Sequence, residues 1–140
     1  MRTKTEPVSA TELVNQERLA LTILEKLGRE VVEPGDALVL LNSDSWGAPE
    51  TGRWLMEAFL AILAEGGPGP GALVLVNRAV LLSEAGPAAY SLSALEMQGV
   101  EVLLCSASVR EHGVVPVAGR ETELPYLVQA ILRKKRVITL

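Results

Sequence analysis

The only cysteine and the only histidine of the chain lie close together in the segment GVEVLLCSASVREHG, residues 99–113. If a helix begins just after Cys105, the unpaired amides at its start would stabilise a thiolate. Ser106 and Ser108 would then offer hydroxyl donors to an anionic sulfur or persulfide, and His112 would serve as a base or charge partner if the helix turned it inward. The alternative is that Cys105 is a small buried hydrophobic residue and His112 an exposed residue at a helix end.

Polar residues also follow two other apolar segments, ALVLLN at 37–42 and ALVLVN at 72–77. In a parallel sheet the carboxyl ends of the strands meet at one edge, where ligands bind. We therefore expect these residues to form a binding site together with the segment that follows Cys105: Asn42, Ser43, Asp44, Trp46, Asn77, Ser106, Ser108 and His112. The alternatives are that the asparagines organise turns, that Asp44 orders its own loop, and that Trp46 covers the core or contacts another subunit.

These residues are positioned by short apolar runs that alternate with amphipathic segments. Continuous aliphatic runs bounded by turn residues predict strands buried on both faces, whereas apolar residues at helical spacing predict helices. Strands are predicted over 37–42, 72–77, 100–105, 113–119 and 136–140, and helices over 50–65, 87–98, 107–112 and 121–135. The strand at 113–119 is the weakest, because Pro116 cannot donate a ladder hydrogen bond. The alternation predicts an α/β fold with helices on both faces of a mostly parallel sheet.

The chain divides by pattern into a short leading segment and one domain. Residues 1–35 are predicted to form an N-terminal extension with one helix over about 12–28, where leucine and isoleucine recur near helical spacing. Residues 36–140 are predicted to form the α/β domain. No apolar run approaches the length of about 18 residues that a membrane span needs, and the first residues lack the apolar core of a secretory signal.

Composition excludes several classes of function. The net charge of −4 and the absence of a basic surface pattern argue against nucleic-acid binding. The one basic cluster, RKKR at 133–136, is typical of the last turn of a helix. A single cysteine excludes an internal disulfide and a cysteine-rich metal site, and the natural compartment is a reducing cytoplasm. The sequence lacks a dinucleotide-binding glycine motif, a phosphate-binding P-loop and a metal-ligand cluster, so no cofactor and no metal are predicted.

The segment from about 36 to 140 resembles the DsrE-like sulfur-relay family, and in particular the C-terminal domain of the YedF-type proteins, which are sulfurtransferase-like and linked by name to selenium metabolism. The resemblance is carried by four stretches: GRWLMEAFLAILAE, LVLVNRAVLL, LSALEMQGVEVLLCSAS and VAGRETELPYLVQAIL. It implies a flavodoxin-like, three-layer α/β/α fold with a five-stranded parallel sheet, and it implies homo-oligomers or hetero-oligomers.

The resemblance also assigns a role to the cysteine. Cys105 matches the first cysteine of the C-G-T-C motif of YedF-like domains, but Ser108 replaces the second, so a local dithiol pair is excluded. Asn77 matches the asparagine that ends the second strand. Residues 1–35 are too short for the TusA-like domain that precedes YedF-type domains and contain no cysteine, so a sulfur-carrier partner would be a separate chain.

The sequence therefore predicts a sulfur-relay protein that carries sulfane sulfur on Cys105 as a persulfide. Whether it catalyses a transfer is left open by the sequence. Two alternatives are a non-catalytic module that binds a small anion or another ligand, and an oligomeric assembly subunit of the same fold.

Overall fold

Most strands form where the sequence has short aliphatic segments, and all five strands of the sheet are parallel. The computed structural model describes residues 18–19 and 33–140. The strands are β1 (Ala37–Leu41), β2 (Ala72–Leu75), β3 (Glu101–Cys105), β4 (Arg120–Thr122) and β5 (Arg136–Thr139). Their order in the sheet is β4-β3-β2-β1-β5. This confirms the predicted α/β fold with a five-stranded parallel sheet.

The helices lie where apolar residues recur at helical spacing. They are α1 (Pro49–Gly66), α2 (Pro87–Met97), α3 (Ser106–His112) and α4 (Leu124–Arg133). A proline stands in the first turn of α1, α2 and α4, where its missing N–H removes no helical hydrogen bond. Short 3₁₀ helices over Pro34–Asp36 and Asn77–Ser83 complete the described elements, and the second of them was not predicted.

Each face of the sheet buries a separate apolar cluster. On one face, Leu41, Leu75 and Leu104 pack against side chains of α1 and α2 such as Met56 and Leu92. On the other face, a smaller cluster packs against α4: Leu38, Ala72, Val74, Leu103, Cys105, Leu127 and Ala130. Because successive side chains of a strand point to opposite faces, the position of a residue in its strand decides which cluster it joins.

The register aligns the ends of the three central strands. Leu41 lies level with Leu75, and Leu75 lies level with Leu104. The residues that follow these strands therefore begin at the same height at one edge of the sheet. We call this the carboxyl edge.

One strand prediction is wrong. The segment 113–119 contains no strand, and β4 begins only at Arg120. Gly113 ends α3 in the left-handed conformation, with φ 61°, and Val115 and Val117 are exposed. The segment is therefore a loop that buries Val114 and Ala118 and exposes the two valines between them, and Pro116 costs no ladder bond there.

The predicted N-terminal extension lies almost wholly outside the described residues. Arg18 and Leu19, the two described residues of its helix, are helical. Residues Glu33–Leu140 form one compact unit. The boundary between an extension and a domain at 35/36 stays a prediction. Within the described part of the chain, no helix is both long and apolar enough to cross a bilayer.

Candidate functional site

Hydrogen bonds join the ends of β1, β2 and the start of α3 at the carboxyl edge. The side-chain amide of Asn77 donates from Nδ2 to Oδ1 of Asn42 over 2.5 Å. The backbone N–H of Asn77 donates to Oγ of Ser108 over 2.8 Å. The structure thus brings together three of the predicted site residues, which are up to 66 positions apart in the chain.

Asn77 occupies an unusual backbone conformation. Its φ is 53°, and among the described residues it is the only one besides glycines with a positive φ. Asparagine adopts the left-handed region at a lower cost than most residues, and such conformations concentrate at functional positions. The bonds to Asn42 and Ser108 hold this conformation, so the turn after β2 is fixed by side chains from two neighbouring elements.

Two guanidinium groups converge on Asp44. Arg53 donates from Nη1 to Oδ2 of Asp44 over 2.9 Å, and Arg78 donates from Nε to Oδ1 over 3.2 Å and from Nη2 to Oδ2 over 3.4 Å. Asp44 is only 9% exposed, whereas the Arg78 side chain is 61% exposed. Arg53 also pairs with Glu57 over 3.1 Å, one helical turn farther along α1. Asp44 is therefore the buried centre of an ion-pair network, and Arg78 is its most exposed member.

The sequence prediction included Asp44 but missed both of its partners. Arg78 lies three residues after the end of β2, and Arg53 lies in the first turns of α1. The sequence does contain a signal for this ion pair: the basic Arg78 follows one predicted strand and the acidic Asp44 follows another. The pairing needs the strand order, because only adjacent parallel strands place their following residues within ion-pair distance.

The loop between β1 and α1 is held by short-range bonds. The backbone N–H of Ser45 donates to Oγ of Ser43 over 3.1 Å, and the Ser45 hydroxyl lies 2.9 Å from the carbonyl oxygen of Ala48. The N–H of Trp46 donates to the carbonyl oxygen of Gly52 over 2.8 Å. A Cβ at Gly52 would approach to 2.6 Å of the carbonyl oxygen of Trp46, so this close contact requires glycine.

Trp46 presents part of its ring to solvent at this edge. Its residue is 46% exposed, and its ring meets Phe59 of α1 edge to face, with 5.6 Å between ring centroids and 71° between ring planes. An edge-to-face contact of this kind fixes the orientation of the indole without covering all of it.

Cys105 is a buried residue rather than an exposed thiol, which agrees with the alternative interpretation of its sequence segment. The residue is 8% exposed and belongs to the apolar cluster under α4. Leu104 faces α1 and α2, so Leu103 and Cys105 both face α4 and pack near Leu127. The thiol thus ends a strand at the carboxyl edge but points under the helix that covers the other face.

Ser106, Ser108 and His112 all lie on α3, which begins one residue before the predicted helix over 107–112, but they do not form one group around the thiol. Ser106 and Ser108 are both buried, and Ser108 is bonded to Asn77. His112 is half-buried at the far end of α3, which places it about 10 Å along the helix from Cys105. The structure therefore does not bring His112 to Cys105 as a base or charge partner.

Within residues 18–19 and 33–140, no group of three or more His, Cys, Asp or Glu residues could hold a metal ion.

The side chains at the carboxyl edge offer hydrogen bonds and charge to a ligand. Outward N–H groups of Arg78 and the Nδ2 group of Asn42 are donors, and Trp46 adds an aromatic surface.

The fold is that of a known structure. The crystal structure of the ychN protein from E. coli matches 74% of this chain and 97% of that chain, with a TM-score of 0.57 and 22% sequence identity. That protein has a DsrE-like fold, so the comparison shows a fold of that kind for this chain. No protein-family model matches the chain, and no curated protein matches it.

Proposed function

We propose that the protein is a binding module for small anions, with its site at the carboxyl edge between the ends of β1 and β2. The observation that carries this proposal is the Arg78 guanidinium, which is 61% exposed while two of its nitrogens are fixed on buried Asp44. A guanidinium that is oriented in this way keeps outward N–H groups for a carboxylate, phosphate or sulfate.

The amide network supplies the second donor. Asn42 accepts from Asn77 through Oδ1, so its own Nδ2 hydrogens remain for a ligand. Asn42 directly follows β1, and Arg78 follows the neighbouring β2 by three residues. Donors from two adjacent strands therefore face the same edge, which is where ligands bind in open parallel sheets.

The site is organised before any ligand arrives. Asp44 orients Arg78, Ser108 and Asn42 hold the turn at Asn77, and Gly52 fixes the loop after β1. Binding then costs little side-chain ordering, which favours affinity for a small ligand.

The test is a titration of the ¹⁵N-labelled full chain with inorganic phosphate, sulfate and acetate, followed by amide chemical shifts. We expect saturable shifts at residues 42–46 and 77–78. The matched control is Arg110→Gln on α3, since Arg110 is similarly exposed, at 67%, and also has a carboxylate partner. Arg78→Gln should abolish the shifts and Arg110→Gln should not. Shifts confined to the basic residues 133–136, or no shifts at all, would contradict the proposal.

A second candidate is the carriage of sulfane sulfur on Cys105. It is favoured by the position of the only cysteine of the chain, the last residue of β3, at the same edge and directly before α3. The Cys105 thiolate would attack a persulfide donor, form a new S–S bond and release the donor thiolate. Because the thiol is buried under α4, this step requires that α4 or the β4 edge open first.

Intact mass measured after incubation with glutathione persulfide tests this candidate. A gain of one sulfur atom that is absent in Cys105→Ala would support it, with a separate sulfur-carrier chain as the partner. If the folded protein gains no sulfur while the urea-unfolded protein does, burial excludes the chemistry and anion binding alone remains.

A further inference from the structure

We infer that the anion bound at the carboxyl edge carries a planar ring, which stacks on Trp46, as in a nucleoside monophosphate. This inference rests on the proposed function and specifies its ligand. It starts from the two tryptophans of the chain, Trp46 and Trp54, which are both exposed. Only Trp46 lies in the loop that carries Asp44, the anchor of Arg78.

The indole of Trp46 is fixed and yet half uncovered. Phe59 meets it edge to face, and the backbone N–H of Trp46 is bonded to the carbonyl oxygen of Gly52. The residue nevertheless remains 46% exposed. A large apolar ring held in one orientation at the surface favours a stacking partner, because ordering the ring costs nothing further on binding.

The ring and the cation are held by the same short loop, which favours a ligand that joins an anion to a ring. Trp46 is two residues from Asp44, so their Cα atoms are at most about 7 Å apart. Arg78 is hydrogen-bonded to the Asp44 carboxylate through two of its nitrogens. The ring and the guanidinium are thus both held by the loop 44–46, and a ligand that joins a phosphate to a base through a sugar, as a nucleoside monophosphate does, could contact both.

The experiment compares three probes by isothermal titration: adenosine 5′-monophosphate, ribose 5-phosphate and inorganic phosphate. We expect the nucleotide to bind about tenfold more tightly than ribose 5-phosphate, from the stacking of one base on one aromatic ring. Trp46→Leu should remove that preference, so that the nucleotide and ribose 5-phosphate bind with equal affinity. Trp46→Phe should keep part of the preference, and Trp54→Leu, at the other exposed tryptophan, should keep all of it.

The outcomes separate this inference from the proposed function. If inorganic phosphate and the nucleotide bind equally, or if Trp46→Leu keeps the preference, the ring assignment fails and anion binding stands. If Trp46→Leu weakens all three probes by the same factor while Trp46→Phe does not, Trp46 is only a support of the loop and the inference again fails. If none of the probes binds the wild-type protein, the proposed function fails as well.

Discussion

The ends of β2 and β3 are neighbours in the sheet, yet they are held in opposite ways. After β2, Asn77 turns into the left-handed region and is fixed by polar bonds to Asn42 and Ser108. At the end of β3, Cys105 is the last residue of the strand and packs into the apolar cluster under α4. The polar end faces solvent with charged and amide donors, whereas the thiol end is covered.

The difference shows that ending at the carboxyl edge does not by itself expose a side chain. Asn42, Val76 and Cys105 follow Leu41, Leu75 and Leu104, which lie at one level of the sheet. Exposure at this level depends on whether α4 covers the strand. Val76 and Cys105 pack into the cluster under α4, and Asn42 is exposed.

We expect the largest loss of stability from adding a methyl group at Gly52. In Gly52→Ala, the new methyl group would lie 2.6 Å from the carbonyl oxygen of Trp46, so the loop must shift. We expect a loss of about 2 to 3 kcal/mol in the free energy of unfolding, measured by urea denaturation. Gly66→Ala is the matched control in the same helix, because nothing lies within 4 Å of its added methyl group. An equal effect of both substitutions would show that the loop is not tightly held.

A polar and an apolar replacement of Cys105 test whether the end of β3 lies in apolar surroundings. Cys105→Ser places a hydroxyl group in the apolar cluster and should cost about 1 to 3 kcal/mol of unfolding free energy. Cys105→Ala removes only packing and should cost about 1 kcal/mol. Thermal unfolding of the two variants checks this order. If the serine variant were the more stable one, the thiol would lie in polar surroundings and the contrast between the strand ends would disappear.

The polar end is tested by removing the acceptor from α3. In Ser108→Ala the backbone N–H of Asn77 loses its partner, and we expect a loss of about 1 kcal/mol in unfolding free energy. Hydrogen exchange should speed up at the amide of Asn77 more than at that of Leu104. Unchanged exchange at Asn77 would mean that Ser108 does not hold this turn.

The smallest expected effect is at Asn77 itself. Asn77→Gly relieves the positive φ but loses the amide bond to Asn42, so the two changes should offset each other to within about 1 kcal/mol. Asn77→Ala loses the bond and keeps the strain, and it should be the less stable variant in urea denaturation. If alanine were tolerated as well as glycine, φ at this position would not be constrained.

Most strands and helices could be predicted from the sequence, because their positions depend on local patterns of apolar residues. Short aliphatic runs and helical spacing located β1, β2, β3, β5 and all four helices to within a few residues. The segment 113–119 was misassigned because its valines have the composition of a strand, and only the tertiary structure leaves Val115 and Val117 exposed.

The sequence indicated part of the carboxyl edge. Asn42, Asp44 and Asn77 could be named because polar residues after buried strands are visible in the sequence, and their role in binding stays a prediction. The partners Arg53 and Arg78 were missed, since their roles depend on which strands are neighbours. The burial of Cys105 was left open by the sequence because it depends on the position of the residue in β3 and on the cover that α4 provides from 19 residues later in the chain.

The most direct test of the account is one calorimetric titration of three proteins with inorganic phosphate: the wild type, Arg78→Gln and Cys105→Ala. We expect the wild type and Cys105→Ala to bind with equal affinity and Arg78→Gln to bind at least about tenfold more weakly, because a charge-assisted hydrogen bond is lost. Binding that survives Arg78→Gln and disappears in a folded Cys105→Ala protein would contradict it and would assign the function to the thiol.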